Sequence, residues 1–150
     1  MLEKKIKEFL DQNNVKYILM LHSIAFTAPE IAEASHISGK QFAKVVIITS
    51  QNKLTMVLLP ANKYLDVEKL SQQIGEPIEI AKESQFKNLF GDCETGAMPP
   101  FGKLYGMNVY IDKELTQQSH LIFNAGTHHE LMQLAFSDFD KLEHPTIISL

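Results

Sequence analysis

The chain has 150 residues, 45% of them apolar, a net charge of −4 and no arginine, all fourteen basic residues being lysine. That length and composition suit one globular domain, residues 1–150, with a substantial core; lysine is a point charge without arginine's planar fork, which argues against a large base-reading interface with DNA. The single cysteine, Cys93, rules out an intrachain disulfide, the charged start Leu2–Leu10 lacks a signal-peptide core, and no apolar run reaches spanning length, so a cytoplasmic chain with no membrane partner is expected.

In chain order, Leu2, Ile6, Phe9 and Leu10 follow helical spacing and predict an amphipathic opening helix. Val15 to Met20 reads as a strand. Thr27-Ala28-Pro29-Glu30 fits a capping box with proline in the first turn, starting a helix through about Ala34. Ala43 to Ser50 and Leu54 to Leu59 are aliphatic, β-branched runs joined by Gln51-Asn52-Lys53, the best hairpin signal in the chain. Asp66 can cap a helix carrying Val67, Leu70 and Ile74, which Gly75 would end. A short strand is expected over Pro77 to Ala81 and a short helix over Ser84 to Phe90. Further strands follow near Met107 to Ile111, Leu121 to Asn124 and Glu130 to Leu134, then a helix near Asp138 to Leu142 and a strand over Thr146 to Ser149. Strands and helices mix without strict βαβ alternation. The expected class is α/β (α+β): a mixed, partly barrel-like sheet with flanking helices rather than a Rossmann fold.

The segment Glu94-Thr95-Gly96-Ala97-Met98-Pro99-Pro100-Phe101-Gly102 sits between apolar elements. Two prolines stiffen it and two glycines admit unusual backbone angles, so it can present the N–H groups of Gly96, Ala97 and Met98 to a ligand at little entropic cost. On residue type alone, a rigid connector between two strands is the favoured reading. Lys44 enters the apolar run Val45-Val46-Ile47-Ile48, where an ammonium either snorkels to water or fixes a carbonyl, phosphate or ribose hydroxyl. Gly126-Thr127-His128 forms a tight turn. Residues 40–69 hold five lysines against two acids and residues 112–143 two against six, an asymmetry that would draw an anionic ligand toward the middle of the chain.

Other chemistries lack their motifs. His129-Glu130-Leu131-Met132-Gln133 places glutamine where a zinc helix needs its second histidine, so no metal site is expected. His22, His36, His120 and His144 are isolated. There is no nucleophile elbow, Walker loop or dinucleotide fingerprint, and no cofactor is expected.

Three separated pieces then point one way: Ala43-Lys44-Val45-Val46; Gly96-x-x-x-Pro100 followed by Phe101-Gly102; and Phe123-Asn124-Ala125-Gly126-Thr127-His128. In order and separation, with the Thr27-Ala28-Pro29-Glu30-Ile31-Ala32 helix start, they resemble the YbaK/prolyl-tRNA synthetase editing-domain family over nearly the whole chain. Without synthetase domains, the chain is similar to a free-standing member, close to the ProXp-ala type or a related subgroup. The resemblance implies hydrolysis of amino acids wrongly esterified to tRNA. It makes Lys44 the contact to the aminoacyl-adenosine end, Gly96 to Pro100 a backbone clamp, and His128 the histidine beside the substrate, with Gly126 and Thr127 in its turn and Ala97, Met98, Pro99, Pro100 and Phe101 around the ligand. The terminal ribose hydroxyl would help activate water. His128 would position water or a hydroxyl, or act as a base.

The implied partner is the acceptor end of an aminoacyl-tRNA. Discrimination among tRNAs would call on a transient synthetase partner. Alanine on proline tRNA is the first substrate expectation, with cysteine, serine or threonine esters as alternatives. Met98, Phe42 and Ile47 are candidates for lining a small pocket, though each reads first as an ordinary core residue. A non-catalytic module binding tRNA ends or an adenosine ligand would use the same lysine and loop. A purely structural domain fits only if the three pieces do not meet in space.

Overall fold

The computed structural model of the chain describes residues 2–21, 42–91, 93, 94, 96–128 and 130–150. The Thr27–Ala34 helix expectation, His22, His36, Lys40, Thr95 and His129 lie outside the described residues.

Helix α1 (Leu2–Gln12) buries Ile6 and Leu10 completely and lays Phe9 against Phe101. Strand β1 (Tyr17–Leu21) follows. Strands β2 (Ala43–Ser50) and β3 (Lys53–Pro60) form an antiparallel hairpin. Its turn is shorter than expected: Ser50 pairs with Lys53, and only Gln51 and Asn52 turn, at φ +49° and +65°. Two left-handed residues match the twist of the flanking strands, which draws Lys53 into β3.

Helix α2 (Val67–Ile74) is capped as its sequence predicts, by Asp66 accepting the Lys69 N–H at 3.1 Å and by Gly75 at φ +85°. The short β4 (Glu79–Ile80) and α3 (Glu83–Phe86) lead into the glycine–proline segment. A 3-10 helix (Gly102–Tyr105) and a one-turn helix α4 (Lys113–Thr116), neither of which the apolar pattern signals, flank β5 (Asn108–Asp112). Strands β6 (His120–Asn124) and β7 (Glu130–Ala135), helix α5 (Phe136–Glu143) and strand β8 (Thr146–Ile148) complete the described elements.

The strands form two sheets. One is antiparallel, ordered β1-β7-β6; the other is mixed, ordered β4-β2-β3-β5-β8, with β5 parallel to both β3 and β8. A parallel bridge between Phe42 and Ile122 links the entrance of β2 to β6, so the two sheets curl toward each other without closing a barrel. Alternation along β2 divides the interior. Ala43, Val45 and Ile47 face the principal core with Phe101, Phe123 and Phe139, whereas Val46 and Ile48 pack with Val57, Leu59 and Leu70 under α2. Phe42, Ala61, Ile122 and Leu131 fill the junction between the sheets.

Two polar anchors hold the loops. Lys63 Nζ donates to Asp112 Oδ2 at 2.8 Å and to the Leu150 carbonyl at 2.9 Å, with Glu114 at 3.5 Å. Burial alone would depress this ammonium, but the hydrogen bond and charge of Asp112, aided by Glu114, outweigh it and raise its pKa. Glu143, 8% exposed, accepts the Lys103 N–H at 3.0 Å and so fastens the 3-10 helix to α5. Burial pushes its carboxyl up, against the lowering effect of the Lys103 and Gly102 backbone and the Lys103 charge.

Gly102 is a close-approach position. A Cβ there would overlap the Met107 carbonyl and sit 2.6 Å from Val109 Cγ2. Gly102→Ala is expected to lower stability by about 1–3 kcal/mol in urea unfolding, the range for overpacking a tight core. Because the folded chain holds the Glu143 proton longer than the unfolded one, stability should fall as pH rises from the ordinary carboxyl value through the raised one. Glu143→Gln should flatten that limb in melts recorded across pH.

Candidate functional site

The turn Ala125–His128 lies within the connection of the β6–β7 hairpin, and the glycine–proline loop lies directly on it. Glu94 donates its N–H to the Gly126 carbonyl at 2.8 Å, while Gly126 returns its N–H to the Ala97 carbonyl at 3.0 Å. Ala97 in turn donates to the Glu94 carbonyl at 3.0 Å, closing a tight turn over Gly96. Gly96 and Gly126 hold φ of +84° and +99°, angles that side chains resist, which is why glycine stands at both points of the stitch. Two of the three sequence motifs are thus joined through main chain. The structure differs from expectation in one donor: the Ala97 N–H is spent inside the loop, whereas those of Gly96 and Met98 have no partner among the described residues.

Glu94 extends the stitch with its side chain. Oε2 accepts the His128 N–H at 3.2 Å and lies 4.0 Å from His128 Nε2. The His128 side chain is 6% exposed, against 45% for Glu94, so the imidazole is enclosed while its carboxylate neighbour reaches water.

The predicted loop residues separate by role. Gly96 is exposed at the tip; Ala97, Met98, Pro99 and Pro100 are buried. Phe101 has no exposure, and its ring packs against Phe9, Phe123 and Phe139 at centroid distances of 5.6, 5.3 and 6.0 Å. Its side chain forms the floor of the loop. Phe42 and Ile47 are likewise core residues. Beside the loop, Phe86, Phe90, Cys93, Glu94 and Met98 line a small open hollow of about 30 Å³.

Lys44 occupies the second position of β2, paired with Leu59. It lies two residues beyond the Phe42–Ile122 bridge, as Asn124 lies two residues beyond it on β6, so strand alternation sets both on the face that Phe42 and Ile122 share. The Lys44 ammonium sits 5.0 Å from the centre of the Tyr64 ring. Burial lowers its pKa, and it has no ion-pair partner among the described residues.

Sequence reasoning passed over two polar residues. Glu94 carries the side-chain clasp, and its signal is an acid placed two residues before a left-handed glycine. Asn124 is 5% exposed with Oδ1 lacking a partner among the described residues, and the half-buried Thr127 leaves Oγ1 in the same condition. An amide ending an otherwise apolar strand was the available sign. Orphaned buried acceptors are costly, and their clustering at the end of β6 suits a site that a polar ligand completes. Among the described residues no group of three histidine, cysteine or acidic side chains can hold a metal ion, and no helix is long and apolar enough to cross a membrane.

Residues 22–142 match the aminoacyl-tRNA editing domain, more than half of the chain, and the chain belongs to that family. No protein of curated function matches it. Among solved structures, the hypothetical protein APE2540 is 17% identical with a TM-score of 0.85, covering 97% of each chain. A candidate trans-editing enzyme for prolyl tRNA synthetase is 20% identical with a TM-score of 0.83, covering 99% of this chain and 96% of that one. At these identities the likeness is one of fold.

Glu94→Ala should cost about 1 kcal/mol, the scale of a partly exposed hydrogen bond, and should speed amide exchange at His128. Glu94→Gln keeps an acceptor and should recover most of both. Exchange at His128 unchanged in the alanine variant would refute the clasp.

Proposed function

We propose that the chain is an aminoacyl-tRNA deacylase acting in trans, hydrolysing the ester of a small amino acid mischarged on tRNA. The observation that carries this reading is the main-chain stitch between Glu94–Ala97 and Gly126, which joins a loop whose Gly96 and Met98 N–H groups have no partner among the described residues to the turn that holds an enclosed histidine, in a member of the editing-domain family.

The chemistry needs no protein nucleophile. Water attacks the ester carbonyl, and the oxyanion that forms is met by N–H groups of the Gly96–Met98 loop, already fixed in place. The tetrahedral species collapses by expelling the terminal ribose oxygen, which takes up a proton and leaves free amino acid and a tRNA with its hydroxyl restored. The neighbouring ribose hydroxyl assists in activating the water. His128, held through its own N–H by Glu94, positions that water or hydroxyl or accepts its proton. Lys44, a half-buried cation with no acid opposite it among the described residues, anchors the oxygens of the aminoacyl-adenosine end. Asn124 Oδ1 and Thr127 Oγ1 offer acceptors for its hydroxyl or ammonium hydrogens.

Alanine on proline tRNA is the first substrate of this proposal, its tRNA in line with a structural neighbour named as a candidate trans-editing enzyme for prolyl tRNA synthetase; cysteine, serine and threonine esters are the alternatives. With no arginine in the chain, only the acceptor end is gripped, and a synthetase partner would supply discrimination among tRNAs.

Multiple turnover on one small ester in a panel of Ala-, Ser-, Cys-, Thr- and Pro-charged tRNAs is expected, falling by at least about 100-fold in Lys44→Ala, the scale of losing a fixed charge contact. Esters that outlive the uncatalysed control would make the chain a binding module instead. Because burial lowers the Lys44 pKa, binding of a non-hydrolysable amide analogue should weaken on the alkaline side at a lower pH than an ordinary lysine gives. Lys44→Arg, always charged, should remove that limb.

A further inference from the structure

Tyr64 is 88% exposed, the most exposed of the large apolar side chains among the described residues. Its neighbours in the chain are all fixed. Lys63 donates its N–H to the Pro60 carbonyl at 3.0 Å and ties its ammonium to Asp112 and the Leu150 carbonyl. Leu65 packs into the cluster under α2, and Asp66 caps that helix. The backbone at Tyr64 is therefore held from both sides while the ring projects into solvent. A single exposed aromatic is ordinary; a rigidly mounted one beside a half-buried ammonium with no ion-pair partner among the described residues is a ready binding surface. Lys44 approaches one side of the ring at 5.0 Å from its centre, and the ring's high exposure leaves area for another flat group.

We propose that Tyr64 is a stacking platform for an unpaired nucleobase, the terminal adenine of the acceptor end. Lys44 meets the ribose and phosphate oxygens of that same nucleotide. The inference rests on the deacylase reading for the place of Lys44 at the acceptor end. Every base offers a π-face, so stacking on tyrosine grips a single-stranded end without arginine and without reading its sequence. The cation against the ring adds attraction where an anionic backbone passes. This pair supplies affinity that the net charge of −4 does not.

The test uses the full chain and two fluorescein-labelled trinucleotides that end in amide-linked alanine. One is cytidine-cytidine-adenosine and the other lacks the terminal base. Wild type should bind the adenine probe about 5- to 50-fold more tightly than the abasic one, the usual range for one stacked base. Tyr64→Phe should keep that ratio. Tyr64→Ala and Tyr64→Leu should bring it close to one while leaving abasic binding and the melting temperature unchanged. A ratio that survives in Tyr64→Ala, an equal loss on both probes, or a wild type indifferent to the base would each overturn the proposal. The probes cannot be hydrolysed, so the binding ratio stands apart from turnover. Base-dependent binding lost in Tyr64→Ala, with an inert ester panel, would sink the deacylase reading and leave the platform. Turnover with an unchanged ratio would do the reverse.

Discussion

The main-chain exchange between Glu94, Gly126 and Ala97 is the constraint on which the site depends. Each of its hydrogen bonds is worth only about 1 kcal/mol. Their importance is positional, because they join two loops from distant parts of the chain. The prolines at 99 and 100 restrict the loop before folding begins, which reduces the entropy lost on ordering it. Below, Phe101 fills the space between Phe9, Phe123 and Phe139, so the loop is stitched on one side and seated on the principal core on the other. Glu143 and the close contact at Gly102 fix its exit. A loop restrained at so many points holds its N–H groups still, which an electrostatic site requires.

The lysines of the central region have opposite fates. Lys63 is drawn to Asp112, 49 residues further along the chain, and its charge is spent within the fold. Lys44 is desolvated with no acid to meet it among the described residues, and its ammonium faces a ring. A count of charges along residues 40–69 treats the two as equals. Only the partner that each meets in space separates a structural cation from one able to receive a ligand.

Much of the architecture was legible because local signals agreed with tertiary need. Asp66 and Gly75 delimit a helix by the same hydrogen bonds their residue types predict, and the aliphatic runs around Gln51-Asn52 form the hairpin. What escaped were short elements set by context. The 3-10 helix over Gly102–Tyr105 has no apolar period and exists because Gly102 lies under Met107 and Val109. Helix α4 is one turn started by Asp112, a residue already committed to Lys63. At the site, the motif glycines and His128 were visible as residue types, but the Ala97 N–H looked free in sequence. Its loss to the Glu94 carbonyl follows from the turn that the left-handed Gly96 creates. Glu94 and Asn124 were hidden for a related reason: an acid in a loop and an amide at a strand end are common, and only burial and partners make them distinctive.

The stitch is written almost wholly in backbone atoms, and this bears on how such a site can diverge. Its three central hydrogen bonds run between main-chain atoms, and its left-handed corners take glycine. Phe86, Phe90, Cys93 and Met98, along the adjoining hollow, contribute none of its hydrogen bonds. Replacements there can alter the size and polarity of the hollow while the main-chain frame beside it persists. Frame and hollow are therefore under separate genetic control, and one can change in single steps without disturbing the other.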